Sequence, residues 1–284
     1  MVVSGRAGRA AAVRALFRLV TGSMLAWSLT GEPAAAQSPL PFGKSWVPAN
    51  VKPLMQRPIG LSLVSMHLGE TLDVGDLALT LGGQPLPPGV VSLPSVTHTT
   101  HVTAVHGDVW LLPFLNVHGT VGHLSGTAND IRPSVAPGFL PPGIQIPSSQ
   151  DFGGTTYGGG LMLAIEYRDI FASYDVAYSR TNVDILKDPV SSVAQGIRVG
   201  ALTRIGKTQA ALYVGGFREG IRSALRGTGL IPPLNPDYSL TVTPRGAWNG
   251  LLGANFAFTS RFVVTTEVGL GNRKQFLVTP GVRF

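Results

Sequence analysis

What most constrains this chain is a period-two alternation that runs through much of its length. Along Trp248, Leu252, Ala254, Phe256 and Phe258 the even positions are apolar, apart from Gly250. Arg245, Asn249, Gly253 and Asn255 between them are polar or small. Phe262, Val264, Val268 and Leu270 alternate in the same way with Arg261, Thr265, Glu267 and Gly269. The last ten residues set Phe276, Val278, Pro280, Val282 and Phe284 on one face and Gln275, Thr279, Gly281 and Arg283 on the other, with Leu277 out of phase. Successive side chains of a strand point to opposite faces, so period two means strands with one apolar and one polar face.

Two architectures bury such strands: a soluble sandwich, or a membrane barrel with its apolar side outward. The alternating segments run longer than the mean globular strand of about 5–6 residues and suffice to cross a bilayer at a tilt. Charged residues are only 13% of the chain, against roughly 25% in soluble domains. The polar face is sparse and Gly-rich, which suits a narrow lumen. Connections alternate between short and long, as tight periplasmic turns alternate with long outer loops. The expectation is an all-β, transmembrane, antiparallel up-and-down β-barrel of about ten strands.

Strands are expected near 58–66, 96–106, 109–123, 154–167, 171–182, 193–205, 208–221, 244–258, 261–271 and 275–284. The short connections are Gly107-Asp108, Arg168-Asp169-Ile170, Gly206-Lys207 and Thr259-Ser260, rich in turn formers or charge. The long outer loops are 67–95, 124–153, 183–192 and 222–243. Asp76–Leu81 also alternates, so eight or twelve strands satisfy the pattern too.

Residues 1–36 read as an address. Arg6, Arg9, Arg14 and Arg18 precede an apolar run from Leu19 to Leu29, then Thr30-Gly31-Glu32-Pro33 and the small residues Ala34, Ala35 and Ala36. This is the order of a cleaved secretory signal peptide, and the run is too short for a spanning helix. Residues 37–57 then form a periplasmic N-terminal segment before the barrel, 58–284. Without the signal, the net charge falls from +7 to +4. The basic balance therefore argues little for nucleic acid, and no basic–aromatic recognition face appears. The chain has no Cys, which excludes disulfides, Cys-ligated metals and a thiol nucleophile.

A Sec-type signal, alternating strands, short and long loops, and an end in Val282-Arg283-Phe284 resemble Gram-negative outer-membrane β-barrel proteins, at the level of a porin-like class. The resemblance implies export to the outer membrane of a Gram-negative bacterium and contact with outer-membrane lipids and lipopolysaccharide. It also implies that the lipid-facing phase of the last strand, Phe276, Val278, Val282 and Phe284, is the signal read by the barrel-assembly machinery. Fold alone does not carry function.

The expected lumen face holds Glu166, Asp175, Arg198, Arg204, Arg245, Arg261, Glu267 and Arg283. Such charges either line a conducting path for small solutes or neutralise one another across strands. Five of the eight are Arg, so an open path favours anions. Ten strands leave little more room than eight, whose interiors side chains fill. The Thr97–His106 stretch turns His98 and His106 to one face and His101 to the other, so these imidazoles do not converge as zinc ligands must. No metal, no cofactor and no enzymatic activity are expected.

His123 and Ser125 share the outward phase of Leu111, Leu115, Val117 and Val121. The pair resembles the His-x-Ser of outer-membrane lipid A deacylases, which also need an acidic partner. Gly158-Gly159-Gly160 lies inside a strand and lacks the strand–helix context of a phosphate cradle. Leu86-Pro87-Pro88-Gly89, echoed at Leu140-Pro141-Pro142-Gly143 and in Ile231-Pro232-Pro233, stiffens the long loops. Three readings stay open. One is a narrow, anion-leaning passive pore or structural envelope barrel. The others are a surface-interaction or adhesion barrel acting through its Pro-rich loops, and a lipid A-modifying hydrolase.

Overall fold

The structure, a computed structural model, describes residues 40–43, 57–131, 133–137, 148–221, 224–228, 235–246 and 248–284. The signal segment 1–36, most of 37–57, Leu140–Gly143 and Ile231–Pro233 lie outside the described residues. Fifteen strands occur among those described. The first eight are β1 (Ile59–Leu81), β2 (Gln84–Pro85), β3 (Val91–Ser92), β4 (Ser95–Leu112), β5 (Leu115–Asn129), β6 (Ser134–Val135), β7 (Ser149–Tyr167) and β8 (Ile170–Val183). The rest are β9 (Val190–Ile205), β10 (Thr208–Ile221), β11 (Leu225–Thr228), β12 (Asp237–Pro244), β13 (Asn249–Ala257), β14 (Phe262–Leu270) and β15 (Lys274–Arg283).

Ten of these close a barrel in the order β1-β15-β14-β13-β10-β9-β8-β7-β5-β4, and β4 returns to β1. Every neighbouring pair is antiparallel. Closure is made by β1, which pairs β15 along Gly60–Gly69 and β4 along Ile59–Asp73. A closed ladder satisfies the backbone without an edge, as a bilayer core requires. The exterior carries the apolar phase: Ile165 is 70% exposed and Tyr167 72%, with Leu212, Val214, Leu252 and Leu270 also exposed. Side chains this apolar are exposed stably only where the surrounding solvent is lipid.

The two ends differ. At one end β7–β8, β9–β10 and β13–β14 meet through tight turns at the expected places. At the other, the loops fold into a cap. The outer arm of β1 pairs β12 and β2, β12 pairs β11, and β3 pairs β6. Leu72, Leu79, Val91, Tyr238, Leu240 and Val242 form a buried cluster there. Leu86, Val135, Leu186, Ile221 and Leu225 pack around it. One apolar core therefore gathers residues from all four long loops.

The structure differs from expectation in three places. Gly107-Asp108 is not a turn: β4 runs on to Leu112 and reverses at Pro113-Phe114. Pro113 has no N–H to give a ladder, whereas Asp108 has an ion-pair partner, Arg283, inside the barrel. The expected strand 244–258 is broken, with β12 ending at Pro244 and β13 beginning at Asn249. Gly246, at φ 92°, takes the left-handed backbone that ends it. The loops are also shorter than expected, because β1 continues to Leu81, β5 to Asn129 and β7 from Ser149, while 222–243 contains β11 and the start of β12.

Candidate functional site in the barrel lumen

Alternation and register together decide which charges meet inside. With the apolar phase outside, Asp108 of β4, Asn116 and His118 of β5, Asp175 of β8, Arg198 of β9, Tyr213 of β10 and Glu267 of β14 all face the lumen. They form chords across it, in three tiers.

Near the turn end, Arg283 of β15 grips Asp108, Nη2 to Oδ2 at 2.7 Å and Nη1 to Oδ1 at 3.2 Å, with β1 lying between the two strands. Asn116 Nδ2 donates to the same carboxylate at 2.8 Å, and Arg283 Nε donates to the Arg57 carbonyl at 2.8 Å. Gly60 of the intervening β1 makes this possible: a Cβ there would stand 2.7 Å from Arg283 Nη1.

In the middle, Arg198 Nε donates to Glu267 Oε1 at 2.7 Å, and Tyr213 Oη donates to the same oxygen at 2.9 Å. Glu267 is 6% exposed. On β8, the strand next to that of Arg198, Asp175 Oδ2 sits 2.9 Å from His118 Nε2. His106 Nδ1 lies 2.9 Å from Thr120 Oγ1, with its ring 5.2 Å from that of His118.

At the loop end, Arg273, in the β14–β15 connection, is ion-paired to Glu219 of β10. Its guanidinium lies over the Phe217 ring at 4.8 Å. Ser192 Oγ donates to Glu219 at 2.9 Å and contacts Ser179 Oγ at 2.8 Å. His98 approaches Glu70 at 3.8 Å.

Four expected lumen residues, Asp175, Arg198, Glu267 and Arg283, thus enter the network. Glu166 and Arg204 keep the inward phase but are exposed at the turn-end mouth, and Arg261 is half-buried in the turn before β14. Arg245 is at the opposite rim, its Nε 2.7 Å from Asp73 Oδ1, because the strand break removes it from the lumen wall. Sequence reading missed Asp108, His118, Tyr213, Glu219 and Arg273. Asp108 was hidden by the misplaced turn. Once β4 and β5 are in register, His118 falls on the same inward phase as Asp108, directly opposite it.

The outward residues hold their expected phase. Phe276 and Phe284 are exposed, and Val278 is half-buried. Val282 is 7% exposed, flanked in register by Leu61 and Phe262. His123 and Ser125 are exposed on the outer wall of β5. An acidic neighbour does stand near them: Asp184 Oδ1 accepts from the Gly153 N–H at 2.9 Å, and Gly153 is registered with Ser125. Among the described residues no three His, Asp or Glu side chains converge to hold a metal.

No family model matches the chain, and no curated protein does. Among solved structures it is similar to the transport unit of the autotransporter AIDA-I from Escherichia coli, at 9% identity and TM-score 0.37, covering 93% of this chain and 96% of that one. The translocator domain of the autotransporter NalP from Neisseria meningitidis is similar at 11% identity and TM-score 0.34, over 80% and 88%. The Ralstonia pickettii toluene transporter TbuX is similar at 10% identity and TM-score 0.28, over 81% and 89%. At such values the reading of the lumen rests on its own geometry.

Proposed function

We propose that the protein is a structural barrel of the outer membrane of a Gram-negative bacterium, closed at rest by ion pairs across its lumen. The apolar exterior supports the membrane, and the tight turns and long loops support the orientation with loops outward. The observation that carries the closed state is the Arg198–Glu267 chord: a half-filled lumen would leave both charges in water, and Glu267 is buried. The anion preference of an open path loses its support, since Arg198 and Arg283 are each spent on an acid. No catalytic role is assigned.

The test is single-channel recording of the refolded mature chain in a planar bilayer. Wild type is expected to be silent, and the double variant Arg198→Ala/Glu267→Ala to conduct. Discrete anion-selective steps from wild type would restore the passive pore and overturn the closed barrel.

A second reading, a surface-interaction barrel, draws support from the cap, because loops with their own apolar core present a fixed outer surface. The segment to exchange is 130–148, between β5 and β7. Loss of partner binding with the barrel intact would favour it. Ser125→Ala is expected to leave the lipid A profile unchanged.

A further inference from the structure

The outer wall shows an asymmetry that the lumen does not explain. Because barrel strands are tilted, a line of constant height steps about one residue per strand away from the registered row. Lys274 opens such a line at the loop end of β15, registered with Gly69, and His67 lies two residues down β1 on the same face. His67 is registered with His101, and Thr103, two residues down β4 from His101, with His123. Two residues down β5 from His123, Val121 is registered with Tyr157, and Tyr157 with Arg180. Arg218 carries the line onto β10, where Phe217 is registered with Asn249 beside Trp248.

Lys274, His67, His101, His123, Arg180 and Arg218 are all exposed, and all share the phase of the lipid-facing apolar residues. They stand at the height of Tyr157 and Trp248, 45% and 47% exposed, which mark the upper edge of the apolar belt. Among the described residues no acid occupies a position in this line. Asp151 lies further out, beyond Tyr157 on β7, whereas Asp184, just past the outer end of β8, reaches back along the wall to Gly153 and stands near His123. The opposite edge of the belt is different: its outward strand positions include Ile59, Tyr167, Ile170, Ile205, Phe262 and Phe284, with the neutral Thr208 beside Ile205. Charges there, such as Arg168, Asp169 and Lys207, sit in the turns and are of both signs.

We infer that this arc is a binding surface for the phosphate groups of anionic lipid in the outer leaflet. Three permanent cations and three imidazoles at headgroup height, with one described carboxylate, Asp184, beside His123, match a ring of phosphates in charge and in level. Below them Tyr157 and the apolar wall take the acyl chains. The inference rests on the outer-membrane reading, and its test separates the two.

The mature chain is refolded into vesicles of phosphatidylcholine and of phosphatidylcholine mixed with phosphatidylglycerol. Heat-modifiability on a gel in the neutral vesicles reports the inserted barrel. Spin-labelled phosphatidylglycerol and phosphatidylcholine then report which lipid is held at its surface. Wild type is expected to prefer the anionic label by about threefold or more, a preference that weakens with salt. The inserted variant Lys274→Gln/Arg180→Gln/Arg218→Gln is expected to lose it. Equal association of the two labels with inserted wild type would overturn the arc alone. Failure to insert in either vesicle would overturn the barrel reading and the arc with it.

Discussion

Arg198 and Glu267 meet at 2.7 Å although β9 and β14 are separated in the barrel wall by β10 and β13. The contact is a strut through the interior, not a neighbour contact along the wall. Removing one end leaves a buried charge without its partner. Arg198→Ala is therefore expected to cost about 3–5 kcal/mol, read as a lower urea midpoint in detergent micelles. Replacing the cluster by apolar groups, Arg198→Met/Tyr213→Phe/Glu267→Leu, should recover most of that loss. A single variant as stable as wild type would mean that the strut holds nothing.

Gly253 stands where the Tyr213 ring crosses the wall of β13: a Cβ there would lie 2.7 Å from Tyr213 Oη. The ring is held by Glu267 and cannot step aside without losing that hydrogen bond. Gly253→Ala is expected to destabilise by about 1–3 kcal/mol through overpacking. With Tyr213→Leu in place the same Ala should cost much less, a coupling that a double-mutant cycle measures. Additive losses would place the strain elsewhere.

Lys187 and Asp237 make an ion pair just as short, 2.8 Å, but outside, with side chains 52% and 55% exposed. Water and salt screen this pair, so Lys187→Ala is expected to change stability by less than about 1 kcal/mol. Raising ionic strength should shrink even that difference. The contrast with Arg198 follows from burial alone. A large loss at Lys187 would show that the cap depends on it.

The barrel was legible because its solvent imposes a rule on every strand. Lipid outside and side chains inside force strict alternation, and Trp248–Phe258 and Phe262–Leu270 obey it without help from tertiary detail. The β9–β10 hairpin was placed to within a few residues for the same reason. Gly107-Asp108 misled because turn propensity is local, while Asp108 is held in a strand by Arg283, 175 residues away. The pairing of Arg198 with Glu267 was beyond sequence reading too. Phase alone puts both in the lumen, but only the register carried through β10 and β13 puts Glu267 on the row of Tyr213 and Gly200, two residues along β9 from Arg198. The cap was the least legible part, since its core draws single residues such as Val135 and Leu186 from separate loops.

The cap and the barrel should separate energetically. Tyr238 is 7% exposed and packs with Leu72, Leu79, Val91, Leu240 and Val242. Its strand, β12, pairs only β11 and the outer arm of β1, beyond the β1–β15 ladder and overlapping the β1–β4 ladder only at Leu72 and Asp73. Truncating such a ring typically costs about 3–5 kcal/mol, and here the loss should fall on the cap. Tyr238→Ala is expected to expose 222–248 to limited proteolysis while heat-modifiability of the barrel is retained, because none of the closing β1–β15 and β1–β4 hydrogen bonds passes through β12. If the variant instead loses heat-modifiability, cap and barrel fold as one unit, and closure of β1 on β15 depends on the arm that reaches beyond it.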